Sequence, residues 1–319
     1  MAGLSLAVCA CTYRRPAGLH ALLEGLERQT FAAEPPPVLR VVIADNEGSD
    51  EVRAICAAFR ERTGLPLTYV HEPRRGIPFA RNACLDNMPT DCAFFAFVDD
   101  DEVPAPDWLD QLLEAQRRSG ADVIAGRVVP VFAEGTPAWI AEGGFFGAPR
   151  RSYDLDMPKL RDLQELDRAA TNNVLASAEP VRRLGLRFDT ADFALSGGSD
   201  TLFFRTLREH GSRIVYAEGA VVHDHIPASR ATLRYMFRER FRIANINTVI
   251  DAIIDGRPRP APASALHGAR HLGLAARRIC KTAISKKRSR DRFAVGLFQA
   301  AHGLGMIAAA LGHRYQHYR

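Results

Sequence analysis

The chain has 319 residues, 47% hydrophobic and 25% charged, which sets aside a disordered or fibrous protein and leaves room for one large domain or two smaller ones. Its formal net charge of +5 is unevenly divided: from Arg257 to Arg319 there are thirteen Lys/Arg and one acid, Asp291, leaving 29 basic and 36 acidic side chains in the preceding 256 residues. An acidic body with a basic tail points to a catalytic or binding body whose C-terminal segment meets something anionic. No recognised nucleic-acid-binding module accompanies that tail, so nucleic acid is not an expected partner.

"LSLAVCACTY" (4–13) reads as a buried strand and "AGLHALLEGLERQT" (17–30) as a helix. "VLRVVIADN" (38–46) is a second strand, entered through Pro35, Pro36 and Pro37, and "SDEVRAICAAFRERTG" (49–64) a helix that opens on a capping residue and stops at Gly64. "LTYVHE" (67–72), "IPFARNACLDNM" (77–88) and "CAFFAFVD" (92–99) repeat strand, helix, strand. Such alternation predicts a parallel sheet with helices on both faces. Ligands bind such sheets at the carboxyl ends of the strands, where "TYRR", "ADNEGSD" and "VDDDE" stand.

Asp107 is placed to cap the helix in "DWLDQLLEAQRRSG", and "ADVIAGRVVPVF" (121–132) reads as a strand. Residues 133–168 are loop-rich. "SDTLFFRTLREHG" (199–211) is a helix starting at Ser199, "RIVYAEGAVVHDH" (213–225) gives one or two strands ending in His223 and His225, and a long helix runs from Ala231 to Ile254. The six cysteines show no C-x-x-C spacing and read as reduced, small core residues of a cytoplasmic protein. The opening "MAGLSLAVCACTYRR" lacks a basic segment before its short apolar stretch, so no cleaved signal peptide is expected.

Asp99, Asp100 and Asp101 crowd three carboxylates at the end of an apolar strand. Adjacent like charges repel and lose hydration when buried, so the cluster needs cations, a cap or solvent. Asp99 and Asp101 lie two apart and point the same way on an extended segment. Two oxygen ligands at that spacing suit Mg²⁺ or Mn²⁺, which complete their shells with water and substrate phosphates. A helix cap and a plain acidic surface loop are the competing explanations.

Taken together, "CTYRRPAGLHALLEGLERQT", "VVIADNEGSD", "EPRRGIPFARNACLDN", "FVDDDEVPAPDWL", "ATNNVLASAEPVRRLG", "SGGSDTLFFRTLREHG" and "RIVYAEGAVVHDH", in that order over roughly residues 4–240, resemble the family 2 inverting glycosyltransferases. "DDDE" and "GSDTLFF" look closest to bacterial glucosyltransferases that build surface polysaccharides such as succinoglycan. The resemblance implies an α/β GT-A fold: a Rossmann-like, mostly parallel sheet with helices on both faces, followed here by a basic helical C-terminal extension. It implies a GT-A domain over 1–255, with a nucleotide-binding part about 1–132 and an acceptor part about 133–255, and an extension over 256–319.

By that resemblance Thr12 and Arg14 line the base and phosphate end of a nucleotide pocket, Asp45 accepts from the nucleobase, and Arg81 lies near the diphosphate. Asp99 and Asp100 belong to the nucleotide-sugar site, Asp99 holding ribose or reaching the metal through water. Asp101 ligates Mg²⁺ or Mn²⁺, with His223 completing the shell. Asp200 is the general base, although Ser199 stands where the family carries a first acid. Asn172 and Asn173 fall where sugar is received, and Trp139 either stacks on a sugar or sits in the core.

Residues 293–311 form a stretch of nineteen without a formally charged side chain. As a helix it would span about 28 Å, borderline for a bilayer, and Gln299, His302 and three glycines weaken that possibility. A helix lying on the anionic inner leaflet, or one packed on the enzyme body, are the alternatives. The expectation is a cytoplasmic enzyme, peripheral on the inner face of the membrane. It would transfer a UDP-linked sugar to a lipid-linked or polysaccharide acceptor. A nucleotidyltransferase is the enzymatic rival, and an inactive nucleotide-sugar or polysaccharide-binding protein the non-enzymatic one.

Overall fold

Residues 4–32, 35–147, 160–284 and 290–316 are described by the computed structural model. Near-continuous apolar runs become buried strands β1 (Ser5–Thr12), β2 (Val38–Asp45) and β4 (Phe94–Val98), with β3 (Leu67–His71) beside β2. Between them run α1 (Pro16–Glu27), α2 (Asp50–Thr63) and α3 (Ile77–Asn87). Ser49 caps α2 by accepting from the Val52 amide, and Gly64 closes it at φ 69°. Five of the six cysteines are buried or half-buried free thiols, and Cys280 is exposed.

The remaining elements are β5 (Glu102–Pro104), α4 (Trp108–Ser119), β6 (Val123–Phe132), α5 (Ala138–Ala141), β7 (Asn173–Ser177), α6 (Ala178–Leu184), α7 (Ser199–Glu209), β8 (Ile214–Ile226), α8 (Leu233–Ile254), α9 (Pro262–Ile284) and α10 (Arg290–Ala310). The eight strands lie in the order β3-β2-β1-β4-β7-β6-β8-β5. The pairings from β3 to β4 are parallel, but β7 is antiparallel to both β4 and β6, and β5 to β8. The sheet is therefore mixed rather than mostly parallel. Crossover helices link the first four strands, and the strands added later run back along their neighbours.

Register sets the site. Thr12 pairs with Asp45, and Asp45 with His71, so β1, β2 and β3 end level. Cys9 pairs with Phe97, which carries the chain leaving β4 to the same level at Asp100. Asp107 stands at the N-cap of α4 but makes no side-chain cap bond. The capping acceptor is instead Gln29, whose Oε1 takes the Leu109 amide at 3.0 Å while its Nε2 donates to the Gly25 and Ala105 carbonyls.

The chain divides into two compact units. The first comprises Met1–Val129, Leu160–Ala194 and Ser199–Asp224. In its core Phe97 meets Phe188 edge-on, and Phe188 stacks on Phe203 at 4.2 Å. The second comprises Pro130–Lys159, Leu195–Gly198 and His225–Arg319. Its core gathers Ile140, Phe145, Met236, Val295 and Phe298. The boundary expected at 255/256 is not where the contacts divide, because α8 and α9 both pack against α10.

That packing explains the apolar stretch. A Cβ on Gly303 would stand 2.5 Å from the Gly268 carbonyl oxygen, and one on Gly268 would stand 2.6 Å from that of Gly303. Only glycine at both positions lets α9 and α10 cross this closely. α10 is the one described helix long and apolar enough to cross a membrane, and half of its most apolar window is buried inside the protein. Of the two alternatives for this stretch, packing on the body accounts for the buried half of the helix.

Candidate active site

The three aspartates leave β4 into a tight turn, where the Glu102 amide donates to the Asp99 carbonyl. Gly18, in the first turn of α1, has no space for a side chain because the Asp100 carbonyl oxygen lies against it. The positive end of α1 thus meets the acidic turn. Thr12 Oγ1 donates to Asp100 Oδ2 at 2.8 Å. Arg15 Nη1 reaches Asp100 Oδ1 at 3.0 Å and Asp101 Oδ2 at 2.8 Å. Burial raises the Asp100 carboxyl above its usual range against the pull of Arg15 and Thr12.

Asp99 is pushed up to about 7, chiefly by burial, with Arg81 opposing and Asp101, Asp100 and Asp200 adding to the rise. Glu102 is almost fully enclosed and raised well above its usual value by burial, then by Asp99 and Asp224. Asn172 Nδ2 donates to Glu102 Oε1 at 3.1 Å, and the Asp99 amide to Glu102 Oε2 at 3.2 Å. Carboxylates here outnumber the cations beside them.

A second link joins this turn to α7. Buried Arg81 donates from Nη1 to Ser199 Oγ at 3.1 Å and holds Nη2 3.8 Å from Asp200 Oδ2. Its guanidinium lies over the Phe188 ring, 5.6 Å from the centroid. Ser199, where the family's first acid was expected, is fully buried as an acceptor for Arg81. A carboxylate could also have paired with Arg81, whereas serine leaves the charge of Arg81 for Asp200 and Asp99.

Other expected positions have different occupations. Asp45 has no exposed surface; Oδ1 accepts the Glu47 amide at 2.8 Å, and Oδ2 accepts the Ser49 amide and the Tyr69 hydroxyl, each at 2.9 Å. It organises the loop after β2 instead of presenting an open face to a base. Exposed Arg14 has a left-handed backbone (φ 57°) and donates to Glu47 Oε1 at 3.0 Å. Asn173 is saturated by bonds with Trp108 Nε1 and the Arg127 and Ala220 carbonyls, so it braces the sheet and cannot also receive sugar. Trp139 packs edge-on against Phe145 in the second unit.

His223 pairs across the strands with Val103 and shares its face, while Asp224 stands opposite Glu102. Among the described residues no three His, Cys, Asp or Glu side chains form a group able by itself to hold a metal ion, so His223 is not brought together with Asp99 and Asp101 in a ready cage. The donor chemistry still suits a hard cation. Mg²⁺ and Mn²⁺ commonly take one or two protein carboxylates and complete the shell with water and phosphate, and the raised affinity of Asp99 for protons marks an unmet demand for positive charge. Sequence reasoning missed Arg15 and Glu102. Both were adjacent to motifs in view, but neither "RR" nor "DDDE" reveals which member turns inward.

The Glycosyl transferase family 2 model matches residues 7–176. Over 316 residues the chain is 32% identical to the succinoglycan biosynthesis protein ExoM of Rhizobium meliloti (strain 1021), covering 97% of this chain and 94% of that protein. The fold resembles the mannosyltransferase PcManGT from Pyrobaculum calidifontis, solved with GDP-Man and Mn²⁺ (TM-score 0.58, 19% identity, 96% of this chain and 86% of that one). It also resembles S. aureus TarS 1–349 in complex with UDP (TM-score 0.52, 16% identity, 98% and 93%). The architecture is GT-A, and with the family model spanning more than half of its length the chain belongs to glycosyl transferase family 2.

Proposed function

We propose that this protein transfers a sugar, with inversion, from a UDP-linked donor to a lipid-linked or polysaccharide acceptor in bacterial surface polysaccharide synthesis. The observation that carries the reading is the Arg81 bridge, which holds the α7 carboxylate Asp200 beside the acidic turn at the ends of the parallel strands. Similarity to a succinoglycan biosynthesis protein over nearly the whole chain supports the pathway class.

Asp200 takes the proton from the acceptor hydroxyl, and the oxygen attacks the anomeric carbon from the face opposite the diphosphate. The bond to the leaving oxygen breaks, its electrons depart with UDP, and the configuration inverts. Arg81 orients Asp200. Thr12 and Arg15 hold Asp100 and Asp101 toward the donor, and Arg14 offers positive charge at the phosphate end. Asp101, with Asp99 through water, would hold Mg²⁺ or Mn²⁺, which supplies charge stabilisation for the departing diphosphate. The site of action is the inner face of the cytoplasmic membrane, where lipid-linked acceptors are met.

The test is UDP release from a panel of UDP-sugars in the presence of lipid-linked acceptor, with the anomeric configuration of the product read by NMR. The expected result is acceptor-dependent UDP release and an inverted product. Donor binding without turnover would identify an inactive binding protein, and a retained configuration would remove the single-displacement mechanism.

A further inference from the structure

Half of the apolar window of α10 is taken up by internal packing, and the charge imbalance of the tail has a further outlet in α9. Its buried positions Gly268, Ala275 and Thr282 recur every seven residues on the side packed against α10. At about 100° per residue, Leu266, Arg270, Leu274, Arg277, Lys281 and Ile284 fall within an arc of about 100° on the opposite side. All six are exposed, Leu266 at 72%, Leu274 at 41% and Ile284 at 84%. Apolar and basic side chains are interleaved along one solvent-facing stripe of this 23-residue helix.

No acid occurs between Arg257 and Arg290, a segment that carries ten Lys/Arg. A solvated helix face has no need of leucine and isoleucine at such exposure, and a core-packing face would not carry arginine and lysine between them. Interleaving of the two suits a surface that is anionic outside and apolar just beneath. Basic side chains pair with headgroups while apolar ones enter the acyl boundary.

We infer that the outward stripe of α9 is the membrane-docking surface of this protein, binding anionic phospholipid in the plane of the leaflet. The inference goes beyond the proposed transfer reaction and does not depend on it. A soluble polyanion would engage only the basic members, as would the acidic body of a second copy of this chain, and two copies meeting stripe to stripe would repel each other. The three apolar members make lipid the occupant that uses the whole stripe.

Flotation of the purified full-length protein with phosphatidylcholine vesicles, and with vesicles also containing phosphatidylglycerol, tests it. Three combined variants are compared: Arg270→Glu/Arg277→Glu/Lys281→Glu, its milder counterpart Arg270→Gln/Arg277→Gln/Lys281→Gln, and Leu266→Ser/Leu274→Ser/Ile284→Ser. Folding is checked by thermal melting, so vesicle binding is scored whether or not the protein turns over a nucleotide sugar. The expected results are recruitment to anionic vesicles only, and at least about a hundredfold weaker binding after charge reversal. Weaker loss is expected for the glutamine variant, and binding that salt fully reverses for the serine variant.

The inference is overturned if wild type is not recruited, binds neutral vesicles equally, or is unaffected by either charge variant. It is also overturned if dextran sulfate is bound as tightly as vesicles with no contribution from the apolar trio. A charge-reversed protein that changes only its monomer–dimer equilibrium, with vesicle binding intact, would assign the stripe to self-association instead.

Discussion

The acidic turn after β4 and the α9–α10 crossing are both crowded, but their crowding is resolved in different ways. At the crossing, Gly268 and Gly303 let two backbones meet, and the contact is complete within the protein. At the turn, Asp99, Asp100, Asp101, Glu102 and Asp200 gather around Arg15 and Arg81, and burial, with the neighbouring carboxylates adding to it, pushes Asp99 up to about 7. A crowd satisfied internally marks stability. One left short of a counter-charge marks a place for a ligand.

Breaking the site at its proposed base, Asp200 on α7, should have the largest effect. Asp200→Asn keeps a side chain that can still meet Arg81 but cannot take a proton, so transfer should fall on the order of a hundredfold or more with donor binding nearly unchanged. Steady-state rates beside donor affinity separate this from a structural role, since near-normal turnover would leave Asp200 as a helix-end residue. Asp101→Ala should next remove the Mn²⁺-dependent part of stabilisation by UDP. At a ligand concentration a hundred times Kd the whole stabilisation is about 2.7 kcal/mol, which bounds that loss. Undiminished Mn²⁺-linked stabilisation would take Asp101 out of the metal shell.

The crossing offers the contrasting perturbation. Gly303→Val should cost about 1–3 kcal/mol by overpacking, visible as a lower midpoint in denaturant. An unchanged midpoint would mean that the close approach is not needed for stability.

Much of this contrast was legible before folding, and the rest was hidden for definite reasons. β1 to β4 and α1 to α3 follow from strong apolar periodicity and from caps such as Ser49 and Gly64. The D-x-D spacing pointed to the turn. β5, three residues long, carries no period of its own, and β7, five residues just beyond the loop-rich stretch, is too short to show one. Asp45 looked like a ligand-facing acid, because a sequence does not show that two amides and Tyr69 already occupy it. Gln29 took the capping role assigned to Asp107 from 80 residues away. The glycines of α10 weakened a membrane span in sequence, but their purpose required α9 and α8 to be seen beside them.

Smaller effects sharpen the comparison. Unfolded aspartate titrates near about 3.9, whereas Asp99 in the folded protein does so at about 7. Between those values the folded state keeps a proton that the unfolded chain has lost. The contribution of Asp99 is therefore full below the unfolded value and is lost as pH rises through about 7. Metal-free protein should show a Tm that falls between about pH 4 and 7 relative to Asp99→Asn, and parallel curves over that range would contradict the shift. Gln29→Ala should cost about 1 kcal/mol through loss of the α4 cap, measured by chemical denaturation.

The central claim is that the acidic turn is a donor site completed by a cation. Thermal melting of the wild-type protein with UDP, UDP-sugars and GDP-mannose, each with and without Mn²⁺, tests it most directly. A uridine diphosphate should raise the Tm, more with Mn²⁺ than without, and more than its guanosine counterpart does. Melting that no nucleotide alters, or a shift indifferent to Mn²⁺, would contradict the account.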